Sequence, residues 1–353
     1  MSPAPGGSRP RTALLHAFDW RRVRRGTERL LEELGAGLAG DGYPVTVISA
    51  HRGPRPPSFG PLRRHALAHV PASRRALARG SFDLAHAFHP ADALAAVRWS
   101  RAGGGPALFT VPAFPPRRPG ALRRRWLAAV YSGAGAVVVP TRAVSAVVSA
   151  EFPAAAIELI PPGVDTVRFA PGRGRAAAPT VLCAGDLSEP RKQVAMLARA
   201  FAAARRAVPG ARLVLANPYP GRALPGWARE EGIEVRPIGG DADLVAAYRE
   251  AWVSALPARE EPFGLVLAES MACGTPVLGA DHGGIPEVVG DGPQGRVLPA
   301  GSEEAWAEAL ANALSSPPAD VAATAAREHG ERFSMRRCLV AYEDLYARLL
   351  GAA

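Results

Sequence analysis

The chain has 353 residues, of which 48% are hydrophobic and 21% charged, so it can bury two separate cores and is not a disordered protein. Its 42 basic residues exceed its 32 acidic ones, and a single lysine, Lys192, stands beside 41 arginines. With 37 Gly and 35 Pro, this composition indicates a GC-rich coding bias. Arginine abundance is therefore weak evidence for a function. The chain through Arg175 has 25 basic and 10 acidic residues (+15), and the remainder has 17 and 22 (−5), which argues against a uniform nucleic-acid-binding surface.

The spacing of the cysteines and the composition of the first residues indicate the cellular compartment of the protein. Cys183, Cys273 and Cys338 lie far apart, which argues against a disulfide scaffold or a zinc site and suits a reducing cytoplasm. Residues 1–10 lack the apolar segment of a signal peptide, and we interpret them as a loose tail. No apolar run approaches the roughly 20 residues of a membrane span. We expect a cytoplasmic protein, with peripheral contact at the inner membrane face left open.

Short apolar runs alternate with helical patterns in two successive series, which is typical of parallel α/β sheets. The first series predicts six strands: Thr12–His16, Val45–Ser49, Phe82–His86, Ala107–Val111, Ala136–Val139 and Ala156–Ile160. The second predicts six more: Thr180–Ala184, Leu213–Ala216, Glu234–Pro237, Trp252–Leu256, Pro276–Ala280 and Arg296–Pro299. Named helices are Gly26–Gly40, Val194–Val208, Leu244–Glu250, Leu265–Cys273, Glu303–Leu314 and Arg337–Leu350.

These elements predict two doubly wound, Rossmann-like domains, 11–167 and 180–335. The segment 168–179, rich in Arg, Pro and Gly, is interpreted as a linker. We expect the C-terminal helix, within 336–353, to pack back towards the N-terminal domain. Ligands of such sheets bind beyond the carboxyl ends of the strands, so the predicted site is a cleft between the two domains.

The most informative stretch reads EEPFGLVLAESMACGTPVLGADHGGIPEVV. Glu261 lies in a polar loop, Gly264 precedes a helix that carries Glu269, and Gly283 and Gly284 precede another helix. Two helix N-termini with glycines that admit a close backbone approach form a generic anion site suited to a diphosphate. On one helix the glutamates would be about 12 Å apart, against roughly 5 Å in a retaining glycosidase. We therefore expect two separate roles; two solvated glutamates on an amphipathic helix are the alternative.

The segment EPFGLVLAESMACGTPV, which begins at Glu261, resembles the E-x7-E signature of family 4 retaining glycosyltransferases, continued by GGIPE from Gly283. Further similarities cover most of the chain: GTER at 26–29, FDLAHA at 82–87, PGVD at 162–165 with RF at 168–169, and GDLSEPRK at 185–192. The last resembles the phosphate loop of phosphatidylinositol mannosyltransferases. The resemblance implies a GT-B fold, a nucleotide-diphosphate sugar as co-substrate and no further cofactor.

The resemblance also implies roles for the matching residues. Lys192 and Arg191 would neutralise the diphosphate leaving group, Glu261 would hold sugar hydroxyls near the anomeric centre, and Glu269 would accept hydrogen bonds from the ribose. The remaining donor-binding positions are Gly26, Asp186 and the backbone N–H groups of Phe263, Gly264 and Leu265. Positive charge at the departing phosphate is the interaction that grows in the transition state, and a flexible ammonium suits it. A chance lysine on a solvated loop is the alternative.

Three positions depart from the family pattern. Asp186 replaces a phosphate-binding arginine, Pro112 replaces a histidine that contacts donor sugar or acceptor, and Pro162 replaces an asparagine. His86, His89 or His16 could stand in for the missing histidine, although a histidine at a strand end is more often structural. These departures leave a catalytically impaired homologue, acting as a binding partner, as the alternative to an enzyme.

The expected acceptor-binding half is rich in arginine. The loop after the first strand supplies Asp19, Trp20, Arg21 and Arg22, to which His86 and His89 are added as acceptor-binding candidates. Other arginines cluster at 63–64 and 117–126. Arginine pairs with phosphate in bidentate geometry, so an anionic acceptor or an anionic membrane is indicated; solvated arginines of a biased composition are the alternative. No aromatic platform for single-stranded nucleic acid is visible.

The sequence therefore predicts a retaining, metal-independent glycosyltransferase of natural-product, glycolipid or polysaccharide biosynthesis. It would move a sugar from a nucleotide-diphosphate sugar to a hydroxyl of a small, phosphorylated or lipid-linked acceptor. A metal-held donor, as in the other common glycosyltransferase fold, is not expected. A dinucleotide oxidoreductase is disfavoured because no G-x-G-x-x-G follows the first strand of either series.

Overall fold

The computed structural model describes residues 9–16, 26–49, 63–117, 119–187, 189–217 and 225–351. The chain divides into two compact units. Unit 1 comprises Met1–Gly163 and Met335–Ala353, and unit 2 comprises Val164–Ser334. No helix in the described ranges is long and apolar enough to cross a membrane.

Unit 1 is built on a six-stranded parallel sheet in the order β2-β1-β3-β4-β5-β6. Its strands are β1 Thr12–His16, β2 Val45–Ser49, β3 Leu84–Ala87, β4 Ala107–Thr110, β5 Ala136–Val139 and β6 Ile157–Leu159. Its helices are α1 Gly26–Gly40, α2 Arg63–Arg79, α3 Pro90–Arg101, α4 Ala121–Tyr131, α5 Arg142–Glu151 and α12 Met335–Leu349.

The two faces of this sheet carry different helices, because successive strand residues point to opposite sides. Val137 and Val139 of β5 pack in one core cluster with apolar side chains of α2, α3, α4 and α5. Val138 packs in a second cluster with α1 and α12. Two helical layers therefore enclose the sheet of unit 1.

A buried polar network joins β3, β4 and α12. His86 is fully buried, with Nδ1 2.7 Å from the hydroxyl of Tyr346 and Nε2 2.7 Å from Oγ1 of Thr110. The same Thr110 oxygen lies 2.9 Å from the hydroxyl of Tyr342. Burial lowers the pKa of His86 to about 3, so the ring is neutral at physiological pH. The network fixes the C-terminal helix to the first sheet.

This burial predicts a loss of stability in mild acid. An unfolded histidine titrates near 6.5, so below that pH the unfolded chain binds a proton that folded His86 does not bind, and stability falls. Between pH 7 and pH 5 the expected decrease from this group is about 2 kcal/mol. Urea unfolding of the chain and of His86→Gln at the two pH values measures it. An equal pH dependence in both proteins would contradict the assignment.

Unit 2 repeats the plan with the strand order β12-β11-β10-β7-β8-β9. Its strands are β7 Thr180–Ala184, β8 Arg212–Asn217, β9 Ile233–Pro237, β10 Val253–Leu256, β11 Val277–Ala280 and β12 Gly295–Leu298. Its helices are α6 Val194–Ala207, α7 Asp241–Glu250, α8 Leu265–Ala272, α9 Ile285–Val289, α10 Glu303–Leu314 and α11 Asp320–Glu331. All its neighbouring strands are parallel, and the strand order reverses between β7 and β10.

The predicted α/β class and all twelve predicted strands are confirmed, with bounds that shift by at most two residues. The segment 168–179, which the sequence analysis interprets as a linker, is instead part of unit 2, because unit 2 begins at Val164. Phe169 is fully buried in the core of unit 2, and Arg327 donates hydrogen bonds to the carbonyls of Thr166 and Phe169. These contacts attach a Pro- and Gly-rich segment to unit 2.

Candidate active site

Lys192, Arg191 and Glu261 lie together where the strand order of the unit 2 sheet reverses. Residues 185–192 follow β7 and are called the β7 loop; residues 257–264 follow β10 and are called the β10 loop. In a doubly wound sheet, adjacent strands whose connections run in opposite directions leave a crevice at their carboxyl ends. Lys192 and Glu261 therefore meet although 69 residues separate them.

Two cations hold one carboxylate at this crevice. Lys192 Nζ lies 2.6 Å from Glu261 Oε2, and an Arg191 guanidinium nitrogen lies 3.1 Å from the same oxygen. The Arg191 Nε also donates to Glu189. The side chains of Lys192 and Glu261 are only 15% and 12% exposed, so the charges are weakly screened. The crevice thus contains a partly desolvated cation pair that a diphosphate could also bind.

Glu261 is ionised in this setting. Burial alone would raise the pKa of its carboxyl, but Lys192 and then Arg191 outweigh burial and hold that pKa below the usual range. The carboxylate is thus a hydrogen-bond acceptor at neutral pH, as a group that orients sugar hydroxyls must be.

The backbone is strained on both sides of the ion pair. Gln193 and Glu260 are the two non-glycine residues with positive φ in the described ranges, both at 53°. Each is adjacent in sequence to a member of the pair, Lys192 or Glu261. Residues held in the left-handed region cost about 1–3 kcal/mol and cluster at functional sites. The backbone hydrogen bond from Arg259 N–H to the Arg191 carbonyl, 2.7 Å long, ties the two loops together.

Gly283 and Gly284 support the backbone of Glu261. The N–H of Gly284 donates to the Glu261 carbonyl at 2.8 Å, and a Cβ on Gly283 would lie 2.3 Å from that oxygen. α9 begins directly after this glycine pair, as predicted, but an anion-binding role for its N-terminus stays a prediction. The Gly284 N–H already has a partner within unit 2, and α9 is only five residues long.

Gly283→Ala should displace Glu261. The new methyl group overlaps the Glu261 carbonyl, and the backbone at φ +65° disfavours any side chain. Gly210→Ala is the matched control, since Gly210 has φ +85° and open space around its Cβ position. Both variants should lose about 1–2 kcal/mol of stability in thermal unfolding, but only Gly283→Ala should lose activity, by tenfold or more. Equal activity in the two variants would contradict this role for Gly283.

The N-terminus of α8 faces the end of the β10 loop with unused donors. Gly264 precedes the helix with φ +98°. The backbone N–H groups of Phe263, Gly264 and Leu265 donate to no acceptor within the described ranges. The Phe263 ring is buried against Phe333, with ring centroids 5.4 Å apart, so its backbone is the part available to a ligand. Such N–H groups and the helix dipole favour an anion.

Glu269 lies one turn into α8 and is 1% exposed. The hydroxyl of Tyr248, on α7, donates to its Oε2 at 2.9 Å. Reasoning from the sequence missed Tyr248, because a tyrosine on the apolar side of a helix is indistinguishable from an ordinary core residue. The separate roles expected for Glu261 and Glu269 agree with their different partners, and the ribose contact of Glu269 stays a prediction.

The other predicted site residues are distributed over both units. Asp186 is half-buried in the β7 loop, and Gly26 is the first residue of α1. His89 caps α3 by accepting a hydrogen bond from Ala91 N–H. It follows β3, which adjoins β1 where the strand order of unit 1 reverses. His86, by contrast, lies in the core network described above, which favours the structural alternative for this residue. Asp19, Trp20, Arg21 and Arg22 lie outside the described residues.

Within the described ranges, no group of three or more His, Cys, Asp and Glu side chains is arranged to hold a metal ion.

Comparison with known families assigns both units. A model described as Glycosyltransferase Family 4 matches residues 24–168, and one described as glycosyl transferases group 1 matches residues 178–316. The chain belongs to the GT-B glycosyltransferases. Among solved structures, a sucrose-phosphate synthase from Thermosynechococcus elongatus has a TM-score of 0.85 at 21% identity, over 98% of this chain and 100% of that one. The Anabaena protein HepE, solved with UDP and glucose, has a TM-score of 0.72 at 18% identity, over 96% and 99%.

Curated relatives of this GT-B chain include D-inositol 3-phosphate glycosyltransferases. The protein from Saccharomonospora viridis is 39% identical over 221 residues, which cover 56% of this chain and 51% of the relative. The protein from Mycobacterium bovis is 33% identical over 218 residues, which cover 56% and 45%. The chain thus spans about half the length of the curated relatives that it matches.

Proposed function

We propose that this chain is a retaining glycosyltransferase that moves a sugar from a nucleotide-diphosphate sugar to a hydroxyl group, without a metal ion. The observation that carries the proposal is the contact of Lys192 and Arg191 with Glu261 where the strand order of unit 2 reverses. The departing diphosphate gains negative charge in the transition state, and preorganised cations stabilise that charge. Within the same loops, Glu261 provides a hydrogen-bond acceptor for the sugar. The backbone N–H groups at the N-terminus of α8 provide hydrogen-bond donors for the phosphates.

Donor binding would exchange partners within this cluster. In the structure the Glu261 carboxylate satisfies both cations. A diphosphate brings more negative charge than one carboxylate, so it would attract Lys192 and Arg191 and leave Glu261 to accept hydrogen bonds from the sugar. Glu269, held by Tyr248, would accept from the ribose hydroxyls. The leaving phosphate would take the proton of the acceptor hydroxyl as the glycosidic bond forms on the same face of the sugar.

The proposed acceptor is a small anionic polyol. Unit 1 belongs to the arginine-rich half of the chain, and arginine binds phosphate in bidentate geometry. The curated relatives are named for D-inositol 3-phosphate, which makes phosphorylated inositol the first acceptor to test and a phosphatidylinositol vesicle the second. A polysaccharide acceptor predicts no response to either.

The test is a panel of UDP-, GDP- and ADP-sugars, with release of the nucleoside diphosphate as the readout. We expect one donor to be turned over, faster with acceptor and unaffected by EDTA, and proton NMR to show a product with the donor's anomeric configuration. An inverted anomer would overturn retention, and inactivation by EDTA would overturn metal independence. Binding of a nucleoside diphosphate without turnover of any donor would identify the chain as the impaired homologue that Asp186 and Pro112 leave open.

A further inference from the structure

The two helical layers of unit 1 differ sharply in charge. From residue 63 to residue 152 the sequence contains 13 arginines and three acidic residues, Asp83, Asp92 and Glu151, and this stretch supplies α2, α3, α4 and α5. On the other face of the sheet, α1 and α12 together contain four arginines and five acidic residues. A coding bias towards arginine explains the number of arginines but not the scarcity of acidic residues in one layer.

Nine arginines of this layer are exposed and form no ion pair within the described ranges. The exposed set on α2, α3, α4 and the turn before α4 is Arg74, Arg75, Arg79, Arg98, Arg101, Arg117, Arg123, Arg124 and Arg125. None of them pairs with a carboxylate in the described ranges. Asp83 pairs with Arg11, and Asp92 is fully buried. On the opposite face, Arg336 pairs with Asp41 and Arg348 with Glu158.

The first turn of α4 places an exposed apolar side chain beside these arginines. Leu122 is 85% exposed, and Arg123, Arg124 and Arg125 follow it directly. The turn has no acidic residue and no side-chain cap, although cations at a helix N-terminus oppose the helix dipole. Trp126, by contrast, packs against Val70, Ala91 and Ala95. The tryptophan thus anchors α4 while Leu122 projects into solvent.

We propose that the outer layer formed by α2, α3 and α4 docks on an anionic lipid bilayer, with its arginines on lipid phosphates and Leu122 inserted at the acyl boundary. Basic residues beside a projecting apolar side chain are the combination that interfacial membrane binding uses. A nucleic-acid partner is disfavoured, because no large aromatic side chain is exposed on the described part of this layer, and single-stranded nucleic acids bind on such aromatic side chains. The surface lies in unit 1, whereas the Lys192–Glu261 pair lies in unit 2, so docking does not depend on the transfer reaction.

The test is co-sedimentation of the full chain with phosphatidylcholine vesicles containing about 30 mol% phosphatidylglycerol. We expect binding at about 0.05 M salt, none to pure phosphatidylcholine, and release at about 0.5 M salt. The variant Arg123→Gln/Arg124→Gln/Arg125→Gln should bind about a hundredfold more weakly, at roughly fivefold per arginine. The matched control, Arg336→Gln/Arg337→Gln/Arg348→Gln, removes the same charge from α12 and should bind as the unmodified chain does.

A second pair of variants separates insertion from charge. Leu122→Ser should weaken vesicle binding by about tenfold, whereas Val321→Ser, at a 67% exposed position of α11, should leave it unchanged. Circular dichroism and thermal unfolding confirm that every variant folds. Equal losses in the two triple variants would overturn the proposal. So would binding to pure phosphatidylcholine, or a DNA duplex that binds as tightly as the anionic vesicles and displaces them.

Discussion

Glu261→Gln should bind a nucleoside diphosphate about tenfold more tightly than the unmodified chain does, while its turnover falls by a hundredfold or more. The substitution keeps the size of the side chain and removes the charge that occupies Lys192 and Arg191, at 2.6 and 3.1 Å. Both cations then become available to the diphosphate. The sugar, however, loses the carboxylate that orients it, and this interaction matters most in the transition state.

Calorimetric titration with UDP and with GDP, beside the release assay, measures the two opposite changes. Glu303→Gln is the control, because it removes a carboxylate that pairs with exposed Arg199 elsewhere in unit 2. Glu303→Gln should change neither the diphosphate affinity nor the turnover. Weaker diphosphate binding by Glu261→Gln would show that the carboxylate does not compete for the cations.

Lys192→Met should lower both the affinity for a nucleoside diphosphate and the turnover, whereas Glu261→Gln should raise the first and lower the second. We expect diphosphate binding to weaken by about a hundredfold, as when a partly buried charge partner is lost, and turnover to fall by about a thousandfold. Glu261 keeps Arg191 as a partner, so the fold should persist. Without Lys192 the pKa of the Glu261 carboxyl rises, because a main cause of its lowering is removed.

Arg199→Met is the control for Lys192→Met, since it removes an exposed cation from the neighbouring helix α6. Thermal unfolding with and without UDP or GDP completes the comparison: the diphosphate should raise the melting temperature of the control and not that of Lys192→Met. An unchanged turnover in Lys192→Met would remove the lysine from the mechanism.

The fold was accessible from the sequence because its signals are local. Buried parallel strands are short apolar runs, and the alternation of β and α elements identifies the sheet class. Helix α2 was not delimited, because Pro71 lies inside it and proline normally interrupts a helix. The segment 168–179 was assigned to a linker, because the burial of the Phe169 side chain and the hydrogen bond from Arg327 to the Phe169 carbonyl are not visible in composition.

The candidate site was accessible only in part. Lys192 and Glu261 stood out by the rarity of lysine and by a long motif, and strand order then brings them together. The burial of His86 and the hydrogen bond from the Tyr248 hydroxyl to Glu269 arise from tertiary packing, and no local sequence pattern reveals them. The role of Gly283 is similar, since the glycine pair predicts the start of a helix but not which carbonyl lies against it.

The return of α12 to unit 1 makes unit 2 an insertion within unit 1 rather than a domain that follows it. A gene fragment that stops after residue 163 would leave one face of the first sheet uncovered, because Leu339, Tyr342 and Tyr346 belong to its core. We expect that fragment to aggregate. Deletion of 164–334 with a short glycine joint should yield a folded unit 1, because residues 163 and 335 are already in contact. Unit 2, in contrast, can be excised as one uninterrupted segment.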